Sequence, residues 1–166
     1  MSAPVPATRN LDPTMTDTDI ITRYAEGFAN LRPDNMAALM ATVSPEIRFT
    51  DPFNDVQGRE GFRAIFEHMF ATCEAPRFHI IDIARPEDAA GDRAYLRWRM
   101  SGRIKGWPHT NLDLEGMSEI LIGADGLVSH HIDHWDSASQ LLARLPLIGV
   151  LLRPVLRLFR VRPGGR

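Results

Sequence analysis

The sequence has almost no cysteine, no excess of charge of either sign and no long apolar run. Its single cysteine, Cys73, excludes an internal disulfide and a zinc site built from cysteines. Nineteen basic residues nearly balance 21 acidic ones, and the formal net charge of −2 provides no bulk attraction to nucleic acid. No stretch reaches the roughly 18 to 20 consecutive apolar residues that a membrane-spanning helix needs. We therefore expect a cytoplasmic protein with no nucleic-acid partner.

Length and composition predict one domain flanked by two different terminal segments. Hydrophobic residues make up 44% of the 166 residues and charged ones 24%, which is typical of a chain that buries a core. Residues 1–14 are rich in Pro, Ala and Thr and lack the apolar segment of a signal peptide, so we expect a flexible tail. The domain is placed at residues 15–138. Residues 139–166 form an apolar, arginine-rich helical extension.

Apolar residues recur with two different periods along the domain. The first part has the helical period of about 3.6 residues, which predicts two helices, a short strand and a third helix. Later residues alternate, which predicts long antiparallel strands, and Asp125-Gly126 is a typical hairpin turn. The first predicted helix begins at Asp17 or Thr18, the second covers Asn35–Thr42, and the third runs from Arg59 to about Thr72. The predicted strands are Glu46–Thr50, Phe78–Ala84, Arg93–Arg103, Asn111–Ile122 and Leu127–Trp135.

This order of elements predicts an α+β fold in which three N-terminal helices pack on a curved antiparallel sheet. A sheet of such long strands curls, and the helices then cover its concave side. The expected shape is a cone-shaped roll that encloses a largely apolar pocket. We expect the outer face of the sheet to form a homodimer.

Pro146 and Pro154 interrupt the C-terminal extension, which predicts two short amphipathic helices. Its apolar residues favour packing on the outer face of the sheet or on a second subunit. Contact with a membrane surface through the arginines is the less favoured alternative.

Four motifs resemble the nuclear transport factor 2-like superfamily in sequence and in order. They are RYAEGF at 23–28, FTDPF at 49–53, GREGF at 58–62 and IDHWD at 132–136. Within this superfamily, the sequence resembles SnoaL-like polyketide cyclases, ketosteroid isomerases and limonene epoxide hydrolases. The resemblance covers about residues 17–138 and implies a cystatin-like fold with a pocket for a small hydrophobic, steroid- or polyketide-like ligand, and no cofactor.

The resemblance also implies roles for single residues. Asp51 resembles the general base of ketosteroid isomerases, and Tyr24 resembles the tyrosine that donates to the substrate oxyanion. The second oxyanion donor of those enzymes falls on Ser118. Asp133 resembles the water-activating aspartate of epoxide hydrolases and a catalytic acid of polyketide cyclases. Their Arg-x-Asp element corresponds to Arg97-Trp98-Arg99, which supplies no second carboxylate.

The segment HHIDHWD at 130–136 crowds three histidines and two aspartates together. Alternation puts His131, Asp133 and Trp135 on one face of a strand and His130 and His134 on the other. His130 and His134 are then roughly 13 Å apart, too far to share one ion. We therefore expect no metal site, and we assign His131, Asp133 and Trp135 to the pocket.

Alternation places the other pocket residues. It turns Trp98 and Ser118 inward on their strands and leaves Arg97 and Arg99 outward, since burying two unpaired arginines is costly. Phe49 and Phe53 flank Asp51 and complete the predicted substrate-binding surface, together with Trp98 and Trp135.

Each candidate catalytic residue has a structural alternative. Asp51 precedes a proline, and such an aspartate often accepts hydrogen bonds from its own turn. Asp133 and His131 can form a pair that fills a polar gap in the core, and Tyr24 can be a core tyrosine.

Two functions therefore stay open, and a third is structural. The first is a cofactor-free isomerase, cyclase or hydrolase in which Asp51 or Asp133 moves a proton while Tyr24 and Ser118 stabilise negative charge. The second is a module that binds a small molecule without turnover. The third is a purely structural association domain whose basic, apolar extension contacts a partner or a membrane surface.

Overall fold

The computed structural model describes residues 19–86 and 92–161, and the predicted tail at residues 1–14 lies outside these ranges. Helices precede a meander of long strands, as predicted. The elements are α1 (Ile20–Ala29), α2 (Met36–Met40), β1 (Val43–Thr50), β2 (Asp55–Gln57), α3 (Gly58–Thr72), β3 (Cys73–Ala84), β4 (Arg93–Ile104), β5 (Asn111–Ile122), β6 (Val128–Trp135), α4 (Ser137–Gln140) and α5 (Pro146–Leu158), with a 3-10 turn at Leu142–Arg144.

Six strands form one sheet in the order β2-β1-β6-β5-β4-β3. All neighbours are antiparallel except β1 and β6, which run parallel. The sheet is therefore antiparallel, as predicted, except at this pair, where β1 lies beside the last strand of the meander. The prediction missed β2, whose three residues are too few to show an alternating pattern. The parallel pair places Phe49 of β1 opposite His131 of β6.

Strand and helix boundaries differ from the predictions mainly at two places. Asp19, and not Asp17 or Thr18, is the N-cap of α1, and its carboxylate accepts from the amide of Thr22. Strand β3 begins at Cys73, five residues before the predicted start. Its register shifts between Glu74 and Arg77, and a bulge of this kind accommodates Pro76 inside a strand. The meander is thereby longer and reaches the C-terminal end of α3.

The helices bury their apolar faces against one face of the sheet. Ile21, Tyr24 and Phe28 of α1 and Phe62 and Phe66 of α3 belong to the core. On the sheet side, the core contains Val43, Ile47, Phe49, Ala94, Leu96, Ile120 and Val128. Burial of each Val, Leu, Ile or Phe side chain in this core contributes about 1.5–3 kcal/mol. The helices thus fix one side of a space whose other side is the inner face of β3–β6.

Strand β4 follows the predicted alternation. Trp98 is buried, whereas Arg97 and Arg99 are exposed on the outer face. Three arginine–carboxylate pairs join β4 to β5 there: Arg93 with Glu119, Arg97 with Glu115, and Arg99 with Asp113. The outer face is therefore charged and internally paired. The homodimer expected through this face stays a prediction.

The C-terminal extension is helical, but its helices differ from the prediction. Pro146 begins α5 instead of ending a helix, because the first helical position needs no amide donor. Pro154 lies inside α5, which continues to Leu158. Helix α5 packs on the preceding 3-10 turn, where Gly149 meets Ala143, and not on the outer face of the sheet. No helix in residues 19–86 and 92–161 has the length and apolar character needed to cross a membrane.

Candidate functional site

A cavity of about 410 Å³ lies between α3 and the inner face of the sheet. Most of its wall is apolar and aromatic, from residues such as Phe49, Phe66, Phe78, Leu96, Met100 and Leu114. Asp51, Ser118, His131 and Asp133 bring polar atoms to it, and the predicted aromatic residues Phe53, Trp98 and Trp135 line it as well. Both candidate aspartates thus border one cavity. Tyr24 is not among the lining residues.

Two chains of hydrogen bonds converge on one oxygen of Asp133. In the first, the indole N–H of Trp98 donates to Ser118 Oγ at 2.8 Å, and Ser118 lies 2.5 Å from Asp133 Oδ1. In the second, Tyr24 Oη lies 2.7 Å from His131 Nδ1, and His131 Nε2 lies 2.8 Å from the same Oδ1. The five side chains come from α1 and three adjacent strands. They form one continuous polar network inside an aromatic core.

The partners determine the direction of each bond. An ionised Asp133 has no proton to give, so Ser118 O–H and His131 Nε2–H both donate to it. A neutral His131 protonated at Nε2 then accepts at Nδ1 from the hydroxyl of Tyr24. Every proton of the network thereby has an acceptor, and the ionised carboxylate is where both chains end.

Tyr24 acts in this network through His131 and not through the cavity. Its side chain is completely buried. Burial, reinforced by the negative charge of Asp133, raises the pKa of Tyr24 well above its ordinary value of 10.0, so the phenol stays protonated and serves as a donor. The structure places Tyr24 as the residue that orients His131, whereas the resemblance implied direct contact with a substrate.

Aromatic rings surround the imidazole of His131, which is 2% exposed. The ring centroids of Phe49, Phe28 and Tyr24 lie 5.0, 5.3 and 5.9 Å from the imidazole centroid. This packing, with the two hydrogen bonds, leaves His131 one ring orientation. His131 therefore holds Asp133 in place from the side of α1.

Asp133 keeps its second carboxylate oxygen available. Its two donors from the described residues both bind Oδ1, and Oδ2 has no partner among them. The side chain is 17% exposed, and no buried side-chain oxygen in residues 19–86 and 92–161 lacks a partner. Oδ2 is therefore accessible, and because Asp133 lines the cavity, this oxygen can meet a bound molecule there.

Asp51 has a different environment. Its Oδ1 accepts from the backbone amides of Phe53 and Asn54 at 2.7 Å each, and the Asn54 side-chain amide lies 3.0 Å from both carboxylate oxygens. Asp51 is thus held by the turn that joins β1 to β2. This is the arrangement that an Asp-Pro turn favours.

Glycine at position 116 allows the Trp98 indole to reach Ser118. A Cβ at this position would lie 2.5 Å from Cζ2 of Trp98 and 2.9 Å from Cβ of Trp135. The two tryptophans pack over this glycine on the inner face of β5. Without a side chain there, Trp98 spans the neighbouring strand and donates to Ser118.

Phe53 and Trp135 lie together at the exposed part of the cavity wall. Their ring centroids are 5.8 Å apart, in an edge-to-face arrangement, and Phe53 is 54% exposed. Leu141 from the C-terminal extension also lines the cavity. No pattern in the sequence points to Leu141 as a cavity residue. The sequence also does not predict the hydrogen bond between Trp98 and Ser118, although alternation predicts that both side chains point inward.

The other two histidines of the segment HHIDHWD lie on the predicted face of the strand. His130 and His134 lie on the other face of β6 from His131, and His130 Nδ1 contacts Ser129 Oγ at 3.1 Å. Across residues 19–86 and 92–161, no three His, Cys, Asp or Glu side chains lie close enough together to hold a metal ion.

Known proteins share both the sequence pattern and the fold. The model of the SnoaL-like domain matches residues 21–131, more than half of the chain. No curated protein matches the sequence significantly. A Catenulispora acidiphila protein with a ketosteroid isomerase-like fold, in complex with trimethylamine, is 21% identical, with a TM-score of 0.62 over 78% of this chain and 95% of that one.

Two further solved structures have the same fold. An NTF2-like protein of unknown function from Exiguobacterium sp. 255-15 is 17% identical, with a TM-score of 0.60 over 70% of this chain and 98% of that one. A Mycobacterium tuberculosis protein in complex with estradiol-17beta-hemisuccinate is 10% identical, with a TM-score of 0.56 over 70% and 91%. These likenesses confirm the predicted fold. The match over residues 21–131 covers nearly all of α1, the FTDPF turn, β5 and the first half of β6 as far as His131, and the chain therefore belongs to the SnoaL-like family.

Proposed function

We propose that the cavity binds a small, largely apolar molecule with a polar oxygen, and that Asp133 acts on it as a general base. The observation that carries the proposal is the accessible Oδ2 of Asp133. Two donors hold the carboxylate through Oδ1, its other oxygen is accessible, and Asp133 lines the cavity. A general base needs this combination of fixed orientation and one open oxygen within reach of the substrate proton.

The cavity supports the proposed ligand class. Its volume of about 410 Å³ lies in the range of about 300–1,000 Å³ that is typical of small-molecule sites. The wall is aromatic and aliphatic, and polar atoms are confined to a few positions, which suits a ring system with one oxygen function. The M. tuberculosis protein of the same fold is in complex with estradiol-17beta-hemisuccinate, which contains an apolar ring system.

Within the proposal, Ser118, His131, Tyr24 and Trp98 position Asp133. The Ser118 hydroxyl donates a hydrogen bond to Asp133 and the Tyr24 hydroxyl donates one to His131, so neither hydroxyl is free to stabilise a substrate oxyanion. Trp135 lies two residues from Asp133 on the same face of β6, and its indole N–H makes no hydrogen bond to the residues that the structure describes. We assign to Trp135 the donor role toward the substrate oxygen.

The second candidate function is binding without turnover. One observation favours it: both predicted oxyanion donors, Tyr24 and Ser118, donate their hydrogen bonds to other groups of the protein. If Trp135 does not supply the missing donor, the cavity holds a ligand and the carboxylate has no partner for catalysis.

The test uses a steroidal β,γ-unsaturated ketone in D₂O. Asp133 would take the proton from the carbon between the carbonyl and the double bond and return one to the far carbon of the double bond. The conjugated product is followed by ultraviolet absorbance, and deuterium incorporation by mass spectrometry. Calorimetry measures binding separately. We expect Asp133→Asn to lower the rate about 10²–10⁴-fold while it leaves the binding constant within a few fold.

The Trp135→Phe variant tests the donor assignment. It keeps the aromatic wall and removes only the N–H, so kcat should fall with little change in KM. Tight binding with no deuterium incorporation by the unsubstituted chain would establish the binding module instead. Absence of binding would exclude this ligand class, and an unchanged rate in Asp133→Asn would remove Asp133 as the base.

A further inference from the structure

Helix α5 (Pro146–Leu158) exposes a large apolar surface. Leu147, Leu151 and Leu158 are 72%, 78% and 81% exposed, and Phe159, directly after the helix, is 82% exposed. In the described part of the chain, most of the strongly exposed large apolar side chains belong to this segment. Contiguous apolar surface of this kind on a folded protein marks a site of interaction.

Arginines occupy one side of the same helix. Arg153 and Arg157 are four residues apart in α5, so they share a face, and Arg160 follows two residues after the end of the helix. Leu147, Leu151 and Leu158, also spaced by four and seven, share another. The Arg153 guanidinium donates to the carbonyl of Ala143 in the 3-10 turn, which orients this side of α5 relative to the body. The helix therefore has an apolar face bordered by positive charge.

The charge of the extension is opposite to that of the rest of the chain. Residues 139–166 contain six arginines and no acidic residue, which leaves 13 basic against 21 acidic residues in residues 1–138. An anionic surface attracts the extension and repels the body. It thereby selects the orientation in which α5 faces it.

A second copy of the chain fits this surface less well. Two α5 helices packed face to face would bring their arginine rows together without an acidic residue to pair them. The carboxylates of Glu115, Glu119 and Asp113 on the outer face of the sheet already lie against arginines of β4. Lipid headgroups supply the missing anions and lipid chains cover the leucines.

We propose that α5 lies on the surface of an anionic lipid bilayer, with Leu147, Leu151 and Leu158 in the acyl boundary and Arg153, Arg157 and Arg160 among the headgroups. This interaction rests on the extension alone and does not depend on the function of the cavity. A basic amphipathic helix gains from both apolar burial and attraction to anionic lipid.

Flotation of the full chain with vesicles tests the proposal. One set of vesicles contains phosphatidylcholine with phosphatidylglycerol, and the other contains phosphatidylcholine alone. At about 1 kcal/mol, or roughly fivefold, for each of three arginines near the surface, we expect binding to the anionic vesicles to be stronger by at least about tenfold and at most by about 100-fold. High salt should weaken it. The Leu151→Glu/Leu158→Glu variant should stay in the vesicle-free fraction.

The control is Ile81→Glu, which changes a 41% exposed apolar side chain on β3, outside the extension. It should float with the anionic vesicles like the unsubstituted chain. Light scattering after gel filtration identifies the competing occupant. A dimer that Leu151→Glu/Leu158→Glu dissociates, together with no flotation, would overturn the proposal in favour of a second copy. Equal flotation with both kinds of vesicle would overturn the role of the arginines.

Discussion

Ser118 on β5 and Asp133 on β6 lie directly opposite each other in the sheet, and the serine hydroxyl is 2.5 Å from Asp133 Oδ1. The pair joins the two chains of donors, since Ser118 accepts from Trp98 while Asp133 accepts from His131. Cross-strand neighbours have a fixed separation, so the register of β5 and β6 determines this contact. The position of the carboxylate is thus a property of the sheet and not of a loop.

Ser118→Ala should destabilise the fold more than the loss of one hydrogen bond. The indole N–H of Trp98 is buried and would lose its acceptor, and leaving such a donor unsatisfied costs about 1–3 kcal/mol. In a Trp98→Phe background the same substitution should cost less, because no N–H is then left without a partner. Urea unfolding of the four chains measures this coupling as a double-mutant cycle. Strictly additive free energies of unfolding would contradict the proposed chain of bonds.

Gly116→Ala tests the close approach of Trp98 to β5. The added methyl would lie 2.5 Å from Cζ2 of Trp98, so the indole must move away from Ser118. We expect a loss of about 1–3 kcal/mol in the free energy of unfolding. Trp98→Phe removes the six-membered ring of the indole, so Gly116→Ala should cost less in that background, where the 2.9 Å contact with Cβ of Trp135 remains. A full penalty in the Trp98→Phe chain would show that Trp135, the other neighbour, causes the clash.

Tyr24→Phe should change how stability depends on pH. Burial raises the pKa of Tyr24 well above 10.0, so the folded chain holds the phenol proton more tightly than the unfolded chain. The stability that this provides is fully present below the unfolded pKa and is lost as the pH rises from there towards the folded pKa. We expect the free energy of unfolding to fall more steeply above pH 10.0 in the unsubstituted chain than in Tyr24→Phe. Denaturation curves at a series of pH values measure both slopes, and parallel slopes would contradict a buried, protonated Tyr24.

Much of the fold can be predicted from the sequence because apolar and polar residues alternate clearly along its strands. β5 was predicted with its observed bounds, since Leu114, Ser118 and Ile120 point inward between charged neighbours. The pairing of β1 with β6 was not readable, because a parallel contact between distant strands leaves no periodic signal within either strand. The sequence predicts a break at Pro154, because proline usually ends a helix. The structure shows α5 continuing through Pro154.

The sequence predicts which residues line the site but not the hydrogen bonds that connect them. Alternation placed His131, Asp133 and Trp135 on one face, and the structure puts all three at the cavity. The distribution of protons among Tyr24, His131, Ser118 and Asp133 depends on distances between elements that lie far apart in the chain. Only the assembled sheet shows that Asp133 Oδ1 takes both donors and that Oδ2 stays accessible.

Asp51→Asn separates the two carboxylates at the cavity. Because Asp51 accepts from the amides of Phe53 and Asn54, its main effect should be on the turn between β1 and β2. Asparagine still offers one acceptor oxygen, so we expect a loss below about 1 kcal/mol, whereas Asp51→Ala should lose about 1–2 kcal/mol. Turnover of the steroidal ketone should stay within a few fold in Asp51→Asn, in contrast to Asp133→Asn. Turnover abolished in Asp51→Asn, with an unchanged free energy of unfolding, would identify Asp51 as the base and refute the role proposed for Asp133.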